Sequence, residues 1–259
     1  MPGITLNSVR QLEIFAMQLV LFDVDGTLIS THGAGMRAFY RAMDRHFGVN
    51  ADKAPIQPDG KTDPLILGEL LKHFHLEDQW RDDTRDVLFS SYLGYLDEEM
   101  SRAKERGLIR ILPGVTDLLE MLTGQPDFCV GLVTGNLEQG AHIKLKNAGL
   151  DGYFQFGGYG SDSEDRTALT RIGIQRGTRI IAPAPVEGVF VVGDTPLDIQ
   201  HGHAAGAHVV AVASARYGMD DLGAHGPDLL VPDLTPVDPI IRFMRSSRQR
   251  SIRNDFAGH

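Results

Sequence analysis

Four short apolar runs, at residues 18–22, 128–133, 189–192 and 208–212, most constrain what this chain can fold into. Each is rich in Val, Leu or Phe, is bounded by Gly, Asp or Thr, and lacks polar alternation. An alternating strand buries one face. A strand without alternation buries both, as in a parallel sheet covered by helices. Helical patterns lie between the runs. Residues 137–147 stop at Gly149 and residues 196–205 stop at Gly206, and glycine is a natural C-terminal stop. Strand and helix in alternation predict a doubly wound, parallel-sheet α/β domain.

The stretch before Phe128 breaks this rhythm. Met36, Phe39, Tyr40, Met43 and Phe47 recur at helical spacing. Asp63 and Pro64 read as an N-cap and first-turn pair, with Leu67, Leu70, Leu71 and Phe74 following on one side. Val87, Leu88, Tyr92, Tyr95, Leu96 and Met100 form a third stripe. The expectation is an α/β core from residues 17–30 and 111–235, with a helical domain, residues 31–110, inserted after the first strand. Leu112-Pro113-Gly114 marks the return. Residues 1–16 read as an N-terminal extension and residues 236–259 as a C-terminal helix and basic tail, with 242–253 expected to be a frayed, solvated end.

Composition narrows the class. At 259 residues, 42% hydrophobic and 23% charged, the chain can bury a sizeable core. A net charge of −9 argues against nucleic acid as a partner. Cys129 is the only cysteine, so no intrachain disulfide and no cysteine-based zinc site is possible. It reads as a buried thiol, which suits a reducing cytoplasm. No apolar run is long enough to span a membrane, and Arg10 and Glu13 interrupt any signal-like stretch. The expectation is a cytoplasmic monomer or homodimer with no membrane partner.

Chemistry gathers where the apolar runs end. Asp23-Val24-Asp25-Gly26-Thr27 follows the first run directly. In extended chain, residues two apart point the same way, so Asp23 and Asp25 should converge beyond the carboxyl end of a buried strand, where open α/β sheets bind ligands. Two adjacent carboxylates repel, and a hard divalent ion such as magnesium relieves that repulsion. Val192-Gly193-Asp194-Thr195-Pro196-Leu197-Asp198 places two more acids at the start of a helix. Either pair also fits a bland role: a polar turn for the first, a helix cap by Asp194 for the second. Four acids at two strand ends favour a metal site. Thr134, Gly135 and Asn136 end the second run with a hydroxyl and backbone amides ahead of a helix, a natural phosphate seat. Gly135, Asn136 and Gly140 do not make a dinucleotide loop, because the spacing is wrong. No histidine pair has metal-ligand spacing, and only His32 could reach the cleft.

These three motifs, in this order and over residues 18–230, resemble the haloacid dehalogenase superfamily. Gly60-Lys61-Thr62-Asp63 and Pro113-Gly114-Val115 look like its phosphoglycolate-phosphatase-like branch, and the insertion sits where that family carries a helical cap. The resemblance implies a magnesium-dependent phosphatase acting on a small phosphorylated metabolite. By position, Asp23 would be the nucleophile and Asp25 the acid and base. Thr134, with Gly135 and Asn136, would bind the phosphoryl group. Asp194, with Asp23 and the Asp25 carbonyl, would ligate Mg2+, and Asp198 would orient Asp194 or a metal-bound water. The family's usual lysine is missing from its expected place, since Lys146 is the last lysine in the chain. That role is assigned to Arg166, ahead of Arg171 and Arg176, with Lys146 as the fallback. Lys61 is the candidate specificity residue, with solvent exposure as its bland reading.

Competing functions share parts of this pattern. A haloacid dehalogenase would lack the second aspartate, so Asp25 disfavours it. A sugar phosphomutase keeps both aspartates and is the runner-up. A phospho-acceptor receiver would be about half this length, with no large insertion, and the intact Asp25 disfavours a non-catalytic binding module.

Overall fold

The computed structural model of the chain describes residues 16–247. The expectations for the N-terminal extension and for the far end of the basic tail therefore lie outside the described residues. In chain order the elements are β1 (Met17–Phe22), β2 (Ile29–Ser30), α1 (Ala34–Phe47), α2 (Asp63–His73), α3 (Asp82–Glu105), β3 (Arg110–Ile111), α4 (Val115–Thr123) and β4 (Phe128–Thr134). They continue with α5 (Glu138–Ala148), β5 (Gly157–Tyr159), α6 (Arg166–Ile181), β6 (Val186–Gly193), α7 (Pro196–Ala204), β7 (His208–Val212), α8 (Met219–Gly223), β8 (Leu229–Val231) and α9 (Val237–Ser246).

Six strands form one parallel sheet in the order β5-β4-β1-β6-β7-β8. The apolar runs lie on β1, β4, β6 and β7. Their lack of alternation has a simple cause, since successive side chains point to opposite faces and both faces are covered. Val20, Phe22, Phe190, Val192 and Val210 pack on one side with α4, α5 and α9. Leu19, Leu21, Val189, Val191 and Val209 pack on the other with α6, α7 and α8. This is the expected doubly wound core.

The three expected helical stripes fall on α1, α2 and α3. Their buried members, among them Phe39, Met43, Leu67, Leu70, Leu88, Tyr92, Leu96 and Met100, form a second hydrophobic cluster. The chain leaves the core through β2 and returns through β3, which pair antiparallel, so the two crossings lie side by side. The helical segments are inserted as a cap over the carboxyl end of β1.

Some local expectations need correction. Val87 is 52% exposed and does not belong to its stripe. Thr62, not Asp63, is the N-cap of α2, its side chain accepting from the Leu65 amide, and Asp63 is the first helical residue. Cys129 is half-buried, not fully enclosed. The basic stretch begins inside α9, whose Ile240, Ile241 and Met244 are buried in the core, and Arg245 pairs with Asp127 at 3.1 Å. That part is a packed helix, not a frayed end.

Candidate active site

Strand order decides which motifs meet. β1 lies between β4 and β6, and Phe22 stands opposite both Leu132 and Val192. Asp23, Thr134 and Asp194 therefore emerge side by side at the carboxyl edge of the sheet. Asp23, Asp194 and Asp198 are buried, and their carboxylate oxygens approach within 4.8 Å of one another. Burial first, then the neighbouring Asp198, raises the Asp23 carboxyl to about 7, while Arg166 pulls it back. Burial and both neighbouring aspartates hold the Asp194 carboxyl well above the usual range. Three desolvated carboxylates in mutual repulsion are what a hard divalent cation would relieve, so the donor set fits one. Gly26 has φ +85°, and a Cβ there would lie 2.8 Å from the Asp194 carboxyl carbon, so only glycine lets the turn pass so close.

Asp194 is not the cap of α7. Thr195 is, in a capping box with Asp198, whose Oδ2 accepts from the Thr195 amide at 3.0 Å. Asp194 accepts instead from the Thr27 hydroxyl at 2.9 Å. The other oxygen of Asp198 takes the Arg166 guanidinium at 2.5 Å, and that guanidinium lies 3.7 Å from Asp23. Burial disfavours the charge of Arg166, and the surrounding Asp198, Asp23 and Asp194 outweigh it. Arg166 does not pair with Glu164 or Asp165. Asp165 caps α6.

Asp23 and Asp25 open on the same cavity, but Asp25 is not part of the carboxylate cluster. The chain turns at Asp25, which bridges to Ile29. The Asp25 Oδ2 meets Asn136 Nδ2 at 2.9 Å and Lys144 Nζ at 2.5 Å, with its side chain 43% exposed towards the cavity. Asn136 also donates to the Thr134 hydroxyl at 2.7 Å and accepts from Lys144 at 2.6 Å.

The cap roofs a cavity of about 540 Å³ over these groups. Met36, Phe39, Ile66 and Tyr92 supply its apolar cap side, and Phe39 and Tyr92 stack at 3.8 Å. The seam between cap and core is tight. The Asp63 amide donates to the Gly135 carbonyl at 2.7 Å, and the Asp63 carboxylate accepts from the Leu137 amide at 2.8 Å. A Cβ at Gly135 would lie 2.8 Å from the Lys61 carbonyl carbon, so glycine here permits the approach of the cap loop. Lys61 lines the cavity, and its ammonium is held by Glu69 at 2.7 Å. His32 also lines the cavity.

The model of the family described as "Haloacid dehalogenase-like hydrolase" matches residues 20–212. The chain belongs to the haloacid dehalogenase-like hydrolases. Its similarity reaches Pyrophosphatase PpaX of Bacillus pumilus, 26% identical over 222 residues, or 86% of this chain and 95% of that protein. A predicted phosphoglycolate phosphatase from Haemophilus somnus shares the fold at 18% identity and a TM-score of 0.61, covering 89% of this chain and 99% of that one. A β-phosphoglucomutase from Clostridium difficile does so at 14% identity and a TM-score of 0.64, covering 90% and 98%.

In this haloacid dehalogenase-like hydrolase, one charged group of the site escaped the sequence reading. Lys144 is 4% exposed and reaches Asp25 and Asn136, while Lys146, the fallback cation, is exposed on the other side of α5. A signal was present. Lys144 stands three and four residues from Ala141 and Gly140, on the face of α5 that is buried. Arg171 and Arg176 point elsewhere, to the Ala204 carbonyl and to Asp162.

Proposed function

We propose that the chain is a magnesium-dependent phosphomonoester hydrolase that acts on a small phosphorylated metabolite through an aspartyl-phosphate on Asp23. The observation that carries this is the division of labour between the two aspartates. Asp23 faces the carboxylate cluster that fits a divalent cation, whereas Asp25 stands outside it and faces the cavity. A nucleophile beside the metal and a proton carrier beside the leaving group are the two roles phosphoryl transfer requires.

Asp23 attacks phosphorus, and the bond to the leaving oxygen breaks as Asp25 delivers a proton to it. Asp25 then takes a proton from water, which attacks the phospho-aspartate and releases inorganic phosphate and free Asp23. Asp23, Asp194 and the Asp25 carbonyl would hold the magnesium ion, with Asp198 orienting them, and its chemistry there is neutralisation of phosphate charge. Arg166, tied to Asp198, balances charge on the Asp23 side. The hydroxyl of Thr134 and the amides of the Gly135-Asn136 turn receive phosphoryl oxygens. A cavity of about 540 Å³ roofed by the cap suits a small metabolite better than a phosphoprotein surface.

The names of the similar proteins span an anhydride, a phosphorylated acid and a sugar phosphate, so the assay panel follows from them. Phosphate release from phosphoglycolate, inorganic pyrophosphate, glucose 1-phosphate and an aryl phosphate should be compared with and without magnesium. Wild type should release phosphate from at least one of them only with magnesium, and folded Asp23→Asn should not. Undiminished turnover in Asp23→Asn removes the covalent reading. Isomerisation of glucose 1-phosphate without phosphate release makes the protein a mutase.

A further inference from the structure

We infer that Lys144 is a second active-site cation, which binds a phosphoryl oxygen of the substrate on the Asp25 side while Arg166 serves the Asp23 side. The inference rests on the phosphatase reading above and deepens it.

Charge balance is the first reason. Asp23, Asp25 and Asp194 line the place where a phosphate dianion must sit, Asp198 is buried behind them, and Asp63 lies next to them across the seam. Arg166 is the cation placed there from the sequence, and it is largely spent on Asp198, 2.5 Å away against 3.7 Å to Asp23. Even with a divalent ion in the carboxylate cluster, the Asp25 side holds two acids and an incoming anion. Lys144 is the cation the fold delivers there.

Geometry is the second reason. The ammonium has three protons. Asp25 Oδ2 at 2.5 Å and Asn136 Oδ1 at 2.6 Å take two of them, leaving one donor in a group that lines the cavity. Asn136 ties the same network to Thr134, whose hydroxyl is at the phosphate seat. Gly35 of the cap faces this ammonium, and a Cβ there would be 3.4 Å from Nζ, so a side chain at that position would crowd the lysine.

The third reason is energetic. Burying a lysine against a carboxylate contributes little net stability, because desolvation offsets the attraction. A structural ion pair also has no need to open on a cavity, whereas Asp25 is 43% exposed there.

Binding of orthovanadate in the presence of magnesium, measured by calorimetry, tests this without turnover. Lys144→Met should weaken vanadate by roughly 10–100-fold, the worth of one charged hydrogen bond. Lys144→Arg should recover most of that loss, and Lys146→Met, on the exposed side of the helix, should match wild type. Wild-type vanadate affinity in folded Lys144→Met overturns the inference. Should Lys144→Met fail to fold, the wild-type chain decides. The lysine side-chain nitrogen resonance that is missing in Lys144→Arg should shift when vanadate is added with magnesium, and an unshifted signal overturns the inference. The phosphatase reading is checked separately by magnesium-dependent hydrolysis in wild type. Its absence removes both claims, whereas its presence together with unaltered vanadate binding in Lys144→Met removes only this one.

Discussion

Arg166, Arg171 and Arg176 stand on one helix at spacings of five, yet they meet three different environments. Arg166 is buried between Asp198 and Asp23, Arg171 reaches the Ala204 carbonyl from the surface, and Arg176 grips Asp162 with both guanidinium nitrogens at 2.7 Å. Arg166→Ala should therefore cripple turnover of an aryl phosphate, with Arg171→Ala and Arg176→Ala close to wild type in kcat. Equal losses in all three would show that the helix, not the charge, is what matters. Asp63 offers a pH test at the same scale. Burial is the main cause that raises its carboxyl from 3.8 to about 6, with Lys144 pulling the other way. Between those values the folded chain holds the proton more tightly than the unfolded chain, so the contribution of Asp63 to stability falls as pH rises through that window. Asp63→Asn removes this titration while its side-chain oxygen can still accept from the Leu137 amide. Its melting temperature relative to wild type should rise between pH 4 and pH 7. A difference that stays flat, or falls, contradicts the raised carboxyl.

Single elements carry separate duties. β1 is a core strand whose last four residues are wholly buried, and its role in the site is to end where it does, between β4 and β6. α5 serves both halves of the molecule. Ala141 and Leu145 pack into the core, Lys144 enters the cavity, and Leu137, just before the helix, joins the hydrophobic cluster of the cap. α9 closes one face of the sheet through Ile240, Ile241 and Met244. Ile240 is fully buried, and truncating such a side chain costs about 2–5 kcal/mol. Ile240→Ala should lower the denaturant midpoint accordingly, with the slope unchanged. A loss below about 0.5 kcal/mol would mean that α9 is peripheral.

At the scale of the whole molecule, two hydrophobic clusters face each other across the cavity, whose charged groups come mainly from the core side. The cap rests on the core through the Asp63–Gly135 and Asp63–Leu137 hydrogen bonds, the close contact at Gly135, and an ion pair between Arg216 and Asp59 at 2.5 Å. That ion pair is exposed, where such contacts contribute little. Among the described residues no helix is long and apolar enough to cross a membrane. The carboxylate cluster couples the site to global stability, because a cation that binds only the folded chain stabilises it by mass action. Magnesium at a hundredfold excess over its Kd should raise the melting temperature by on the order of 5–10 °C. Asp194→Asn should blunt that rise, and a wild-type melting curve indifferent to magnesium and to its removal by chelation would dismiss the cluster as a metal site.

Much of the fold was legible in short stretches of chain. Residues 18–22 and 189–192 declare doubly buried strands through neighbours alone, and Gly149 and Gly206 mark helix ends for the same local reason. The acids Asp23, Asp194 and Asp198 could be placed at strand ends and helix starts, because those positions are set within a few residues. Other features were not local. The order of strands, which sets Asp23 between Thr134 and Asp194, depends on pairings between residues more than a hundred positions apart. The place of Asp25 outside the carboxylate cluster depends on a turn and on partners from the β4–α5 loop and α5. Helical spacing says which side of a helix is apolar but not what covers it, so Lys144 drew no assignment and Val87 was placed in a core stripe. The sequence by itself determined a parallel α/β core, a helical insertion and acids at the strand ends. Only the tertiary structure decided which cations meet those acids, because a buried charge is selected by its distant neighbours and not by its place along the chain.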